Sequence, residues 1–463
     1  MSTASSTTMP TTARDEATAA MPMPNGDADA RAAWLTPGPR PSAPSVVVTT
    51  PSYDDGARDD DCWLHVEVSD PHRVGDGLSK HIEYKISYWT NNPAFAGESG
   101  CVTRRYSDFE WLGKQLSASV DGAIVPLVPS KTLMHMDDPS SRGIEKRRAG
   151  LAMFMARVCA HPFMRKSPDV QVFLEDSNTS SWSSRVPWYE RGVLSDSVSS
   201  VTSWLSTINT SDVSASLSSS MAIDALREKP QHTEVVDYVA TLKMRLEKLV
   251  SAASALQKHG KHTVGVYQEF CACLELLAGQ EDKALKVFAP TAKGVWWDKM
   301  RGLFAAMTTP QQDASEAMRV EFLEPLEEAH SLCCALMAAF EARKRVVDHY
   351  NRVTAQIERI EAKLSTMGVP EPGPKREEKQ KIELAASDLR IERTQSHERY
   401  ERCCANMEHE LLWFHTELAT ALSSALKKHV AASGKAAGAL SRAQDEHFCE
   451  IKKLFANAPE ALT

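Results

Sequence analysis

Two adjacent arginines, Arg104 and Arg105, stand directly before Tyr106, Ser107, Asp108 and Phe109, so two cations, an aromatic ring and a helix-start signal fall within one short stretch. Guanidinium grips phosphate through paired hydrogen bonds, and an aromatic face accepts the apolar side of a sugar or inositol ring. The two guanidiniums and the tyrosine therefore read as a phosphate-binding corner; the competing reading is a solvated basic strand end. Downstream, Pro126-Leu127-Val128-Pro129-Ser130-Lys131 is a PxxP followed by a lysine. Its prolines favour an extended backbone that aims Lys131 in a fixed direction, although an SH3 ligand or a plain loop has the same pattern. A third basic cluster, Lys146-Arg147-Arg148, opens an amphipathic helix. Cations at a helix N-terminus oppose its dipole, and an anion there would compensate.

The elements that must position these residues follow from periodicity. Residues 81–90 alternate Ile82, Tyr84, Ile86 and Tyr88 with polar side chains, as a half-buried strand requires. After Tyr106 the period becomes helical through Phe109, Leu112 and Leu116, with Ser107 and Glu110 spaced as a capping box. The basic pair thus lies where a strand gives way to a helix. With further strands at 63–68 and 101–105, and helices after them, residues 62–178 read as a small α+β domain with a three-stranded sheet.

Composition bounds the rest. The chain has 463 residues, more than one ordinary core, and a net charge of -8. Residues 1–61 hold four Lys/Arg against nine Asp/Glu and are rich in Ser, Thr, Ala and Pro, so a disordered tail is expected and a nucleic-acid partner is not. The ten cysteines form no CxxC pair and no histidine stands at zinc-finger spacing, so no metal site, cofactor or disulfide framework is expected, and a reducing cytosol fits best. Membrane contact is expected to be peripheral, since no apolar run approaches the ~20 residues of a span.

The segments RRYSDFEWL, PLVPSK and IEKRRAGLAMFMARVCAHPF, in this order and spacing, resemble the phox-homology (PX) domain of sorting nexins. The resemblance implies that Arg105 holds the 3-phosphate of phosphatidylinositol 3-phosphate. Tyr106 would then lie beneath the inositol ring, Lys131 would reach the 1-phosphate, and Arg147 would bond the 4- and 5-hydroxyls. It also implies that Leu133, Met134 and Met136 dip into the bilayer, against the alternative of a partly buried loop.

Residues 179–226 are a Ser/Thr-rich linker in which Leu194, Val198, Val201, Leu205 and Ile208 recur at helical steps beside Trp204. An apolar face backed by Ser and Thr resembles a lipid-packing sensor, with Trp204 and Leu205 as inserting residues; the alternative is plain disorder. From 227 to 463 the chain turns to long helical periods. Helix one is expected from Thr233 to about Ala306, bent at Pro290. Helix two is expected from about Asp313 to Met367, and helix three from about Arg376 to Phe455 after the Pro370–Pro374 breaker. At about 1.5 Å per residue the last two would measure about 80 and 120 Å, too long to bury their stripes in a monomer, so a dimer is expected. This all-α, elongated three-helix layout resembles the BAR half of PX-BAR sorting nexins. Residues 343–402 hold fourteen Lys/Arg against eleven Asp/Glu. Lys375, Arg376, Lys379 and Lys381 would press an anionic membrane at the hairpin tip.

The family resemblance implies a non-enzymatic peripheral protein on the cytoplasmic face of early endosomes. It would sense or generate curvature as a homodimer or as a heterodimer with another BAR nexin. Retromer cargo-recognition subunits are a further implied partner. Two alternatives compete: a PX-bearing lipid enzyme or its adaptor, and a coiled-coil scaffold with a lipid-binding PX module. Against a phospholipase D type enzyme, His259-Gly260-Lys261 is followed by Val266 where an Asp is needed. Strict heptads, which a scaffold would require, are missing.

Overall fold

The structure, a computed structural model, describes residues 36–38, 48–51, 53, 62–75, 81–129, 141–185, 187, 226, 230–288, 296–367 and 374–456. The chain divides into two bodies. One comprises Met1–Glu228 with Ala338–Trp413, the other Lys229–Met337 with Phe414–Thr463.

In the first body, β1 (Leu64–Val74), β2 (His81–Thr90) and β3 (Ser99–Arg105) form an antiparallel sheet in that order. The alternation expected in β2 is realised: Tyr84, Ile86 and Tyr88 are buried, with Ile86 opposite Val102 and Tyr84 opposite Arg104. β1 runs past the expected residue 68 because the ladder survives an irregularity between Ser69 and His72. Asp70 takes a φ of 45° there, a left-handed conformation that its short polar side chain tolerates. The helices α1 (Tyr106–Ser119), α2 (Ser141–Ala160), α3 (Pro168–Glu175) and the short α4 (Thr179–Trp182) complete the domain. Phe109, Leu112 and Leu116 share one face of α1, fully buried. Phe109 meets Phe173 and Phe154 edge-on at 5.1 and 6.3 Å, so one aromatic side chain ties α1 to both α2 and α3.

The α1 start differs from the expected capping box. The helix begins at Tyr106 with Arg105 as N-cap, and Asp108, not Glu110, reaches back: its carboxylate accepts the Arg105 N–H at 2.9 Å. The strand's extended backbone persists through Arg105, which moves the first helical residue ahead of Ser107 and places Asp108 at the third position.

The long helices are α5 (Pro230–Phe288), α6 (Trp296–Ala317), α7 (Glu324–Met367) and α8 (Pro374–Ala456). The break expected near residues 307–312 is not there. Helix continues from Trp296 through Pro310 and a π-turn, Met318–Leu323, into α7. Pro325 removes an amide and crowds the carbonyl four residues back, and the wider π-turn immediately before it absorbs that defect without ending the helix. In the first body α7 and α8 pack through Val353, Ile357 and Ile360 against Ile382, Ala385 and Leu389. Further along, Val346, Val347, Tyr400 and Cys403 form a second cluster that receives Leu226 from the linker. Asn351 clips that residue from both sides, accepting its N–H at 3.0 Å and donating to its carbonyl at 3.2 Å. In the second body α5 and α6 meet through Phe270 and Phe304, stacked 4.7 Å apart.

Candidate functional site: a cationic corner between β3, α1 and α2

The two arginines of the corner have opposite fates. Arg104 is 1% exposed. Its Nε donates to the Phe173 carbonyl at 2.8 Å, and its two terminal nitrogens donate to Thr103 at 2.8 Å and Asp176 at 2.7 Å. The guanidinium also lies 5.3 Å from the Phe173 ring centre and 5.2 Å from that of Trp182. Burial lowers its pKa to about 10, with Asp108 and Asp176 opposing the shift. The reading in which both guanidiniums fork onto one phosphate is therefore corrected: Arg104 holds α3 and α4 to the sheet. The signal was in the sequence, because Val102 and Arg104 stand two apart on a strand and must face the same way. Arg105 points outward, 54% exposed at the side chain, steered by a 3.4 Å contact from Nε to Asp108. Asp108 is itself buried, and burial raises its pKa against the pull of Arg105 and Arg104.

Across the corner, α2 repeats this division of labour. Arg148 is consumed locally: Nε and one terminal nitrogen bond Glu145, and the other donates to the Val68 carbonyl at 2.7 Å. Arg147 instead lies with its guanidinium 5.4 Å from the Tyr106 ring centre, so one face of that ring carries a cation. Arg147 also bears on Tyr84, whose pKa is raised by burial and partly lowered by this charge. Arg105, Tyr106 and Arg147 are thus brought together from β3, α1 and α2.

The PxxP segment is fixed at its end. Tyr106 donates its hydroxyl to the Pro129 carbonyl at 2.5 Å. Gly150, one turn beyond Arg147, lets the Pro129 ring approach so closely that a Cβ would lie 2.5 Å from its Cγ. A larger residue would push the loop stem off α2. Lys131 and the insertion candidates Leu133, Met134 and Met136 lie outside the described residues, as do Trp204 and Leu205.

At the hairpin tip Arg376 and Lys381 are exposed and Lys379 is half-buried, while the Lys375 side chain is outside the described set. The basic surplus counted over 343–402 is not free surface charge. Arg343 is buried, Arg390 pairs with Glu361 at 2.5 Å, Lys363 lies 3.8 Å from Glu378, and Arg399 and Arg402 both bind Asp121. Among the described residues no cluster could hold a metal ion, and no helix is long and apolar enough to cross a membrane.

Residues 92–177 match the family model of the PX domain. Sorting nexin-1 of Macaca fascicularis is 26% identical over 416 residues, spanning 85% of this chain and 72% of that protein. Sorting nexin 1 of Arabidopsis thaliana is 25% identical over 355 residues, 76% of this chain and 83% of its own length. Among solved structures, the SNX-BAR Mvp1 tetramer aligns with 83% of this chain and 99% of its own at 16% identity and a TM-score of 0.49. The sheet-and-helix domain carries the PX family match, long helices follow it, and over most of its length the chain is similar to sorting nexins. That similarity implies a role in membrane-associated trafficking and curvature without enzymatic chemistry.

Proposed function

We propose that the corner binds the headgroup of phosphatidylinositol 3-phosphate. In this reading Arg105 grips the 3-phosphate, the Tyr106 ring lies beneath the inositol ring, Arg147 bonds the 4- and 5-hydroxyls and Lys131 reaches the 1-phosphate. One observation carries it: of two adjacent arginine pairs, one member of each is tied to backbone carbonyl oxygen, while Arg147 lies against the Tyr106 ring and Arg105, next to it in sequence, points outward.

Around this pocket we assign residues 62–178 to the PX domain, 179–226 to the linker and 227–463 to the BAR region. Leu133, Met134, Met136, Trp204 and Leu205 are the inserting residues of the proposal, and Lys375, Arg376, Lys379 and Lys381 its contact with anionic lipid. The assembly is a homodimer or a heterodimer with another BAR nexin, on the cytoplasmic face of early endosomes. Retromer cargo-recognition subunits are the proposed partners. Two headgroup pockets on one dimer raise residence by effective concentration.

Sedimentation of the full-length chain with vesicles carrying single phosphoinositides tests the pocket. Arg105→Ala is expected to weaken binding to phosphatidylinositol 3-phosphate at least about tenfold, since each lost charge-assisted bond carries ~1.5–3 kcal/mol. Equal binding by the folded variant, or equal wild-type binding to all phosphoinositides, would remove the assignment.

A further inference from the structure

A short piece of the N-terminal segment, expected from composition to lack structure, is seated in the first body. Pro51 is buried, and Thr49 accepts a hydrogen bond from the Trp413 indole at 3.0 Å. The Tyr53 ring packs 4.4 Å from Phe163 of the PX domain and 5.2 Å from His409 of α8. Its hydroxyl donates to the carboxylate of Glu410.

Glu410 is 0% exposed, a carboxylate wholly removed from water. Oε1 also faces His161 Nε2 at 2.8 Å, and Oε2 accepts the Ile124 N–H at 3.2 Å. His161 Nδ1 accepts the N–H groups of Phe163 and Met164, both at 3.2 Å, so it carries no proton and Nε2 must be the donor to Glu410. The buried anion is therefore served by neutral donors from three separate places: the loop after α1, the corner after α2, and the N-terminal segment. Nearby, Asp121 binds Arg399 and Arg402, and its carbonyl accepts from Asn406 at 2.7 Å. Gly122, at a φ of 81°, lies so near the Cys403 carbonyl that a Cβ would overlap it. The PX domain is thus docked on α8 along one line of contacts, and Tyr53 supplies the donor that does not belong to the PX fold.

We propose that residues 48–51 with Tyr53 are a strap that latches the PX domain to α8 at Glu410, and that the Tyr53 hydroxyl is a phosphoryl-acceptor site whose modification opens the latch. The step moves the γ-phosphoryl group of a nucleoside triphosphate to Tyr53. A bond forms between its hydroxyl oxygen and phosphorus, the bond to the departing nucleoside diphosphate breaks, and the hydroxyl proton passes to solvent. The product can no longer donate, and it sets a second anion against a carboxylate that has no access to water. Both changes act in the same direction.

Amide hydrogen exchange on the full-length chain reads the latch directly, because the Ile124 amide is itself a ligand of Glu410. Tyr53→Phe is expected to accelerate exchange at Ile124, Phe163 and Met164 about tenfold, the factor carried by one lost charge-assisted bond. Phosphotyrosine encoded at position 53 should accelerate it further, to the level of Glu410→Ala. The amides of Tyr84 to Tyr88 in β2 should keep their wild-type rates. Unchanged exchange at Ile124 in the phosphorylated chain would overturn the proposal, and so would β2 amides accelerating as much as Ile124, which would mean unfolding. No lipid enters the measurement, so the outcome is independent of the headgroup assignment.

Discussion

Substituting the two neighbouring arginines one at a time separates architecture from recognition. Arg104→Ala removes three hydrogen bonds to the carbonyls of Phe173, Thr103 and Asp176 and two cation–π contacts. Bonds from a charged donor contribute ~1.5–3 kcal/mol each, and the stranded carbonyls add a desolvation cost. The cost of burying the charge is absent from the variant and offsets part of this, as the lowering of the Arg104 pKa to about 10 by burial indicates. A net loss of about 3–5 kcal/mol is expected, in the range of a broken buried network. That is a large share of the ~5–15 kcal/mol that stabilises an ordinary domain. Arg105→Ala, at an exposed side chain whose one described partner is Asp108 at 3.4 Å, should fall within about 1 kcal/mol of wild type. Urea denaturation followed by Trp fluorescence reports on Trp111 and Trp182, which pack 4.4 Å apart beside Arg104. The expected result is an early transition for Arg104→Ala and a wild-type transition for Arg105→Ala. A native-like midpoint for Arg104→Ala, or a shared large loss, would refute the division between the two.

Gly150→Ala should weaken vesicle binding several-fold although alanine favours the helix by about 1 kcal/mol, because the added Cβ displaces Pro129 and the loop stem beyond it; far-ultraviolet circular dichroism and vesicle sedimentation on the same sample check it. Glu83, with His72 at 3.7 Å and His81 at 3.1 Å, has its pKa lowered from 4.5 to about 2 by these two imidazoles, His72 first. A depressed carboxyl contributes stability that is complete above 4.5 and disappears as the pH falls through about 2. Glu83→Gln should therefore lower the urea midpoint at pH 5 and converge on wild type near pH 2.

The corner was legible as a place before it was legible as a geometry. Basic residues at the end of an alternating strand, followed by Phe109, Leu112 and Leu116 at helical spacing, locate it without any coordinates. Which arginine points outward depends on which face of β3 is covered, and α3 and α4, some seventy residues on, provide that cover. The same holds for the helix boundaries. The gap expected between about Ala306 and Asp313 is bridged by α6, which runs on through Pro310 into the π-turn before Pro325, a compensation that no propensity records. Tyr53 was out of reach altogether: its carboxylate partner is 357 residues away, and nothing in an acidic, Ser/Thr-rich segment announces it.

Counting charges along the sequence misleads for a related reason. Arginine is chosen both where a cation must meet solvent-borne anions and where a planar fork must satisfy several buried carbonyls or carboxylates. Arg104, Arg148, Arg399 and Arg402 take the second role, fastening strand to helix and PX domain to α8. Those four would appear in any sum as attraction toward an anionic surface, and none of them is free to supply it. By contrast, Arg105 points outward, Arg147 lies against Tyr106, and Arg376 and Lys381 are exposed near the start of α8. The proposed attraction to an acidic headgroup in an acidic chain therefore rests on where particular cations stand and not on the sum of charges. Screening follows from the same distribution: contacts at the exposed tip should weaken with salt over a Debye length of about 8 Å, while the partly enclosed corner responds less.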